Sequence, residues 1–309
     1  MNNCPGQGNL TRTPRFWCTI PEGLAVFYTV LNIFLSITAS LGNSLILIAL
    51  CKVTSVHPPT KLLFRCLALT DLCVGLVLQP LNVSYLLTKF QTEINLYVIL
   101  YVAKVTYVSG LILGGMSALT STAISVDRLL ALLLGLRYRH VVTLRRVRVI
   151  IICFWIIGVS GGLLSFCLSQ SITDIAAIIF VVLCVFISGF SYTKIFLTLR
   201  QNQAQVQGNP QGQPNGGGIP LNIARYKKTV SSIAWVQLAL VVCYLPFIVS
   251  VITIQINGWS GKNASIVRIS TVTLFYLNST LNPIVYCWKI KEIREDVKIT
   301  IRQICCSLS

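Results

Sequence analysis

Seven stretches of this chain are apolar for longer than a helix buried in a soluble domain needs to be. They run over residues 24–51, 62–87, 95–134, 148–168, 174–199, 228–256 and 265–288. About 20 mostly apolar residues cross the hydrocarbon core of a bilayer. Lipid offers no water to unpaired backbone groups, so each run predicts a spanning helix. An eighth stretch, 289–304, reads differently. Ile290, Ile293, Val297, Ile301 and Ile304 recur at intervals of three and four with Lys and Arg between them, which predicts an amphipathic helix lying along the interface. The predicted fold class is therefore all-α: a seven-transmembrane helix bundle with a short amphipathic eighth helix.

The polar intervals divide the chain. Residues 1–23 form an N-terminal segment, 24–288 the seven-transmembrane domain, and 289–309 the amphipathic helix 8 with its tail. Within the bundle, 201–222 is a Gln/Gly/Asn/Pro run that cannot bury a core and is expected to be a flexible loop. Composition agrees with lipid as the solvent. The chain is 54% hydrophobic and only 11% charged, against about 25% charged in an ordinary soluble domain. Residues 1–23 lack the apolar core of a signal peptide, so the first span is expected to act as its own insertion signal.

The net charge of +17 raises nucleic acid as a partner, and its distribution argues against that. Nineteen of the 25 Lys and Arg residues, among them Arg137, Arg139, Arg145, Arg146 and Arg148, fall at the ends and loops of one side. That side is cytoplasmic by the positive-inside rule, which places the N-terminus outside. The excess charge is then topology plus contact with anionic membrane lipid, and no nucleic acid is expected. Most of the 12 cysteines lie in apolar runs; Cys4, Cys18 and Cys167 reach the oxidising side.

Ionisable groups at membrane depth are costly and therefore informative. Asp71 lies near the middle of the second span, and Asp127-Arg128 lies near the cytoplasmic end of the third, after the uncharged run from Val105 to Val126. Both histidines, His57 and His140, fall in cytoplasmic loops. No nucleophile with a nearby base, no phosphate-cradling glycine loop and no metal-ligand spacing stands out, so the chain does not read as an enzyme.

Several residues carry a family resemblance, in order and at least one to a helix. They are Gly42-Asn43, Leu67-Ala68 with Asp71, Asp127-Arg128, Trp155, Tyr192, Leu245-Pro246-Phe247 and Asn282-Pro283-Ile284-Val285-Tyr286. Together they resemble the marks of the rhodopsin-like (class A) G-protein-coupled receptors and cover almost the whole chain. The resemblance implies a receptor at the plasma membrane, passing the signal of an extracellular ligand to a heterotrimeric G protein by movement of helix 6. It implies no obligate cofactor. It does imply an allosteric sodium ion held by Asp71, Ser117, Asn278, Ser279 and Asn282; the alternative for Asp71 is a polar group satisfied by neighbouring helices.

The same resemblance assigns an activation switch to Asp127, Arg128, Tyr192, Tyr244, Pro246, Pro283 and Tyr286. It makes the two prolines hinges, the alternative being static kinks. The G-protein contact is expected at Arg128, Leu136 and Arg137. Tyr226 stands near where many receptors place an acidic partner for the arginine, so a weakly locked resting state with appreciable basal activity is expected. Asn9 and Asn263 begin glycosylation sequons on the outer side. Cys305 and Cys306 are palmitoylation candidates, or else a plain tail.

Four departures narrow the branch. Ala103 stands where most members have a disulfide-forming Cys, the 169–173 loop is short, Cys184 replaces a usual proline, and Tyr244 replaces a usual Trp. The first three resemble the melanocortin branch and, more loosely, the adenosine and cannabinoid-like receptors grouped with it. Leu81, Ala103 and Tyr107 stand in place of the melanocortin acidic residues, Val251 replaces the adenosine-binding Asn, and Gly110 replaces the aminergic Asp, so an amine ligand is not expected. The implied ligand pocket is apolar and aromatic: Tyr107, Gly110, Leu111, Gly114, Phe180, Tyr244, Phe247, Phe275 and Tyr276, widened by the glycines. Lys104, Arg268, Glu93 and Asp174 are the charges near its rim, and the two basic ones either suit an anionic amphiphile or extend to water. The rival readings are a receptor-like protein that does not signal and a small transporter.

Overall fold

The computed structural model describes residues 20–52, 56–88, 95–208, 223–257, 262–289 and 291–308. Its long helices are α1 (Glu22–Lys52), α2 (Pro58–Leu87), α3 (Leu96–Leu134), α4 (Leu144–Leu164), α5 (Gln170–Gly208), α6 (Ile223–Asn257), α7 (Lys262–Lys289) and α8 (Lys291–Leu308). Six of them, α1 to α6, carry stretches long and apolar enough to cross a membrane. Helix α7 is 28 residues long, a span of about 42 Å, and is more polar because so many of its residues face inward. The bundle differs from a soluble protein in its apolar exterior and in the polar groups it buries among apolar ones. Asn32, Asn43, Asp71, Gln79, Asn278 and Asn282 are buried, while Phe34, Leu41 and Phe186 are 61%, 62% and 72% exposed.

Helix α2 is not uniform. Residues Val74–Leu78 form a π turn in which the Gln79 N–H reaches back to the Val74 carbonyl. Pro80 follows directly; a proline removes a donor and crowds the carbonyl four residues earlier, and a π turn relieves that conflict. The turn lies against α1. Ser36 Oγ donates to the Gly75 carbonyl at 2.7 Å, and a Cβ on Gly75 would come within 2.6 Å of Ser40 Oγ. Glycine there lets the two helices touch at the backbone.

Pro283 inside α7 is accommodated the same way, from α1. Its missing N–H frees the Ser279 carbonyl, and Asn43 Nδ2 donates to that carbonyl at 3.0 Å. A Cβ on Gly42 would lie 3.1 Å from the proline ring, so Gly42-Asn43 fits Pro283 in both shape and hydrogen bonding. One boundary differs from expectation. The loop expected over 201–222 starts later, because α5 runs on to Gly208. Gln and Ala form helix well, and the first Gly and Pro after Arg200 come at Gly208 and Pro210. Residues 209–222 lie outside the described ones.

Removing the Asn43 amide would leave a buried carbonyl unpaired, a cost of about 1–3 kcal/mol. Asn43→Ala is therefore expected to lower the melting temperature of the detergent-solubilised protein clearly, while Thr38→Ala, at a half-buried position whose hydroxyl bonds only its own helix, is expected to change it little.

Candidate functional site

The nine predicted pocket residues line one cavity of about 540 Å³ in the outer half of the bundle, within the usual range for small-molecule sites. Helices α3, α5, α6 and α7 supply them. The floor is a cluster of rings. Phe275 lies 4.7 Å from Tyr244, 5.9 Å from Phe247 and 5.7 Å from Tyr276, centroid to centroid. Tyr244 Oη donates to the Gly114 carbonyl at 3.3 Å.

The two glycines of α3 act differently from each other. A Cβ on Gly110 would meet only Leu78, at 4.0 Å, so this position does open space. At Gly114 a Cβ would fall 2.4 Å from Phe275 Cζ. Gly114 does not widen the cavity; its bare backbone seats the Phe275 ring that closes the bottom. Sequence reading could not separate the two, because both lie on the same face of α3.

Beneath the floor, Asp71 is fully buried. Ser279 Oγ donates to its Oδ1 at 2.8 Å and Asn282 Nδ2 to its Oδ2 at 2.7 Å. The Ser117 side chain faces it from α3. Ser117 Oγ, Asn278 Oδ1 and Asn282 Oδ1 are all buried without a hydrogen-bond partner. Unpaired buried oxygens are costly, and a carboxylate among hydroxyl and amide oxygens is the donor set a hard cation takes. The residues present therefore fit the implied sodium ion. Among the described residues no group of three His, Cys, Asp or Glu side chains could hold a metal.

At the cytoplasmic end Asp127 gathers three donors. Arg128 pairs with it through Nη2 and, at 3.1 Å, through Nε. Thr60 Oγ1 donates to Oδ2 at 2.9 Å and Tyr138 Oη to Oδ1 at 2.6 Å. Arg128 Nη2 also donates to Thr60 Oγ1 at 2.6 Å. Tyr138 is brought back under α3 by the turn Gly135–Arg137, where Gly135 has φ 49°. Sequence reading missed Thr60 and Tyr138 as partners. The only signal was Tyr138 inside the Gly135-Leu136-Arg137-Tyr138-Arg139 run, and helical periodicity gives no contact across such a turn. His57 caps the structure from the α1–α2 connection, its ring 5.2 Å from that of Tyr138. Burial pushes the His57 imidazole below the usual histidine range.

The other predicted residues are placed as follows. Tyr192 Oη accepts from Ser125 Oγ at 3.1 Å, and Tyr286 packs edge-on against Phe64 at 5.4 Å. Pro246 and Pro283 lie inside α6 and α7. Leu136 is 65% exposed and Arg137 is exposed beside it. Asn263 is exposed in the first turn of α7. Cys305 and Cys306 lie within α8, and Cys167 is a free, exposed cysteine. Asn9, Cys4, Cys18 and Glu93 lie outside the described residues, as does the Tyr226 side chain.

Comparison with known proteins bears on this arrangement. Residues 42–174 and 169–286 match the 7 transmembrane receptor (rhodopsin family). The chain is 26% identical over 307 residues to the adenosine receptor A3 of Ovis aries, covering 90% of each chain. It is 26% identical over 290 residues to the melanocortin receptor 4 of Danio rerio, covering 90% of this chain and 83% of that one. It is 22% identical over 319 residues to the adenosine receptor A2b of Gallus gallus, covering 90% and 89%.

Two outcomes follow from this geometry. Sodium chloride, against an equal concentration of choline chloride, is expected to raise the melting temperature of the solubilised protein, and Asp71→Asn to abolish that difference. His57, with its folded-state value lowered, favours the fold while neutral. Its contribution is present above the ordinary histidine value of about 6.5 and is lost as pH falls from there through the lower folded-state value. Melting curves from pH 7.5 to 5 should show this decline, and His57→Gln should flatten it.

Proposed function

Because the chain belongs to the rhodopsin family of seven-transmembrane receptors, a family of non-enzymatic, multi-pass membrane proteins, we propose that it passes an extracellular ligand signal to heterotrimeric G proteins by outward movement of α6. The observation that carries this reading is a column of buried polar groups running down the bundle axis. It starts at Tyr244 in the cavity floor, passes Asp71 with Ser279 and Asn282, and ends at Arg128 held by Asp127.

Each level of the column has a physical role. A ligand in the cavity presses on the ring cluster of Phe275, Tyr244 and Phe247. Pro246 weakens α6 at the depth of that cluster, since a proline deletes a backbone hydrogen bond. A sodium ion, when bound, would neutralise Asp71 and tie α2, α3 and α7 together. At the inner rim, release of Arg128 from Asp127 frees a guanidinium for a partner protein, with Leu136 and Arg137 exposed beside it. Ligand and G protein then bias one equilibrium between two helix arrangements. Thr60 and Tyr138 belong to the resting side of that equilibrium, since both bind the carboxylate that holds Arg128.

The test is G-protein nucleotide exchange driven by the chain in membranes, with a mixture of G-protein subtypes. Arg128→Ala is expected to reduce exchange to the level of empty membranes. Tyr138→Phe removes one donor from Asp127 and is expected to raise ligand-free exchange by about two- to twelvefold, the range set by a lost hydrogen bond of ~0.5–1.5 kcal/mol. Exchange by the parent equal to empty membranes under every ligand tried would overturn the signalling reading in favour of a receptor-like protein that binds without coupling.

A further inference from the structure

The cavity carries charge that its aromatic floor does not use. Lys104 of α3, Asp174 of α5 and Arg268 of α7 all line its wall. Basic side chains near a membrane surface ordinarily extend to water; these two are part of the cavity. Lys104 Nζ donates to the Ser165 carbonyl at 2.6 Å and lies 5.2 Å from the Phe166 ring centre and 5.5 Å from that of Tyr107. These contacts hold the ammonium between the end of α4 and the Tyr107 ring. An ammonium has three N–H donors, and the carbonyl uses one.

The acid on the same wall is committed elsewhere. Asp174 is 5% exposed and accepts from Tyr107 Oη at 2.8 Å. Gln255 also reaches it, and both Arg268 and Lys104 act on it electrostatically. A cationic ligand would meet two like charges and a carboxylate already holding donors. Arg268 acts on Tyr85 and Tyr107 as well, so both basic groups act on the same Tyr107–Asp174 pair. Among the described residues lining the wall two bases stand against one acid, and a guanidinium's planar set of donors matches a carboxylate. Below it the lining is apolar, with Leu111, Phe180, Phe247 and Phe275.

Resting on the receptor reading above, we propose that this cavity takes an amphiphilic monocarboxylate, its head group between Lys104 and Arg268 and its apolar body against Phe180, Phe247 and Phe275. The head-group chemistry is the same whether the body is an acyl chain or an aryl system, and the two are separated by experiment.

The test uses the full chain in lipid nanodiscs, with the unfolding midpoint followed against ligand concentration. The probes are oleate, biphenyl-4-carboxylate, methyl oleate and oleylamine. At least one of the two carboxylates is expected to raise the midpoint saturably, at a concentration tenfold or more below that needed by the ester or the amine. Saturation by oleate alone assigns an acyl body, and by the biphenyl acid alone an aryl one. Lys104→Gln and Arg268→Gln should each weaken the effective carboxylate tenfold or more, with Lys104→Arg staying within threefold of the parent. The proposal is overturned if the ester or amine matches the carboxylates, if neither carboxylate saturates, or if both neutralising variants bind as the parent does. Should a variant fail to fold, the comparison of acid with ester on the parent still decides. No G protein takes part, so loss of coupling in the nucleotide-exchange assay and loss of carboxylate binding are separate failures.

Discussion

Lipid withholds water from the inside of this bundle, so every polar group there must find its partner in the protein. Much of the structure answers that demand. Pro283 frees the Ser279 carbonyl and Asn43 binds it. The π turn of α2 is braced by Ser36 on Gly75. Asp71 takes Ser279 and Asn282 from α7. Helices α1, α2 and α7 are thus joined at about mid-depth by hydrogen bonds, which add to packing where the hydrophobic effect gives little because lipid tails are as apolar as leucine.

The demand is met unevenly, and the unevenness follows the proposed path of the signal. At the cytoplasmic rim Asp127 receives Arg128, Thr60 and Tyr138 together. In the centre, Ser117 Oγ, Asn278 Oδ1, Asn282 Oδ1 and Tyr286 Oη lack partners. A partly satisfied polar interior is costly in one arrangement and so is easily biased toward another that completes its bonds. A saturated rim holds α2, α3 and the segment after α3 in one arrangement. The centre and the inner end of the column are therefore suited to different tasks, one to being shifted and the other to holding.

The outer end shows how the bundle manages without the usual disulfide at position 103. Lys104 ties α3 to the end of α4 through the Ser165 carbonyl, and Tyr107 ties it to the start of α5 through Asp174. A disulfide would contribute about 2–4 kcal/mol and stay closed. A lysine–carbonyl contact and a tyrosine–carboxylate bond contribute a comparable amount, about 1.5–3 kcal/mol each for charged partners, and can exchange partners. The same side chains that close the cavity are then available to what enters it.

Residue order by itself predicted the seven spans, the orientation expected of them and the depth of the buried charges. Apolar length and the placement of Lys and Arg act through the bilayer, which is the same for every chain. It also placed the pocket residues, since Tyr107, Gly110, Leu111 and Gly114 share a helical face wherever α3 packs. Only the tertiary structure decided what that face meets: Gly110 opens space, while Gly114 seats Phe275. It alone brought Thr60 and Tyr138 to Asp127, across two connections whose turns no periodicity describes. It turned Lys104 and Arg268 into the cavity wall, where the sequence also allowed extension to water. Periodicity states which residues share a side; contact depends on the helix that comes to lie against it, and that is settled only when the whole bundle packs.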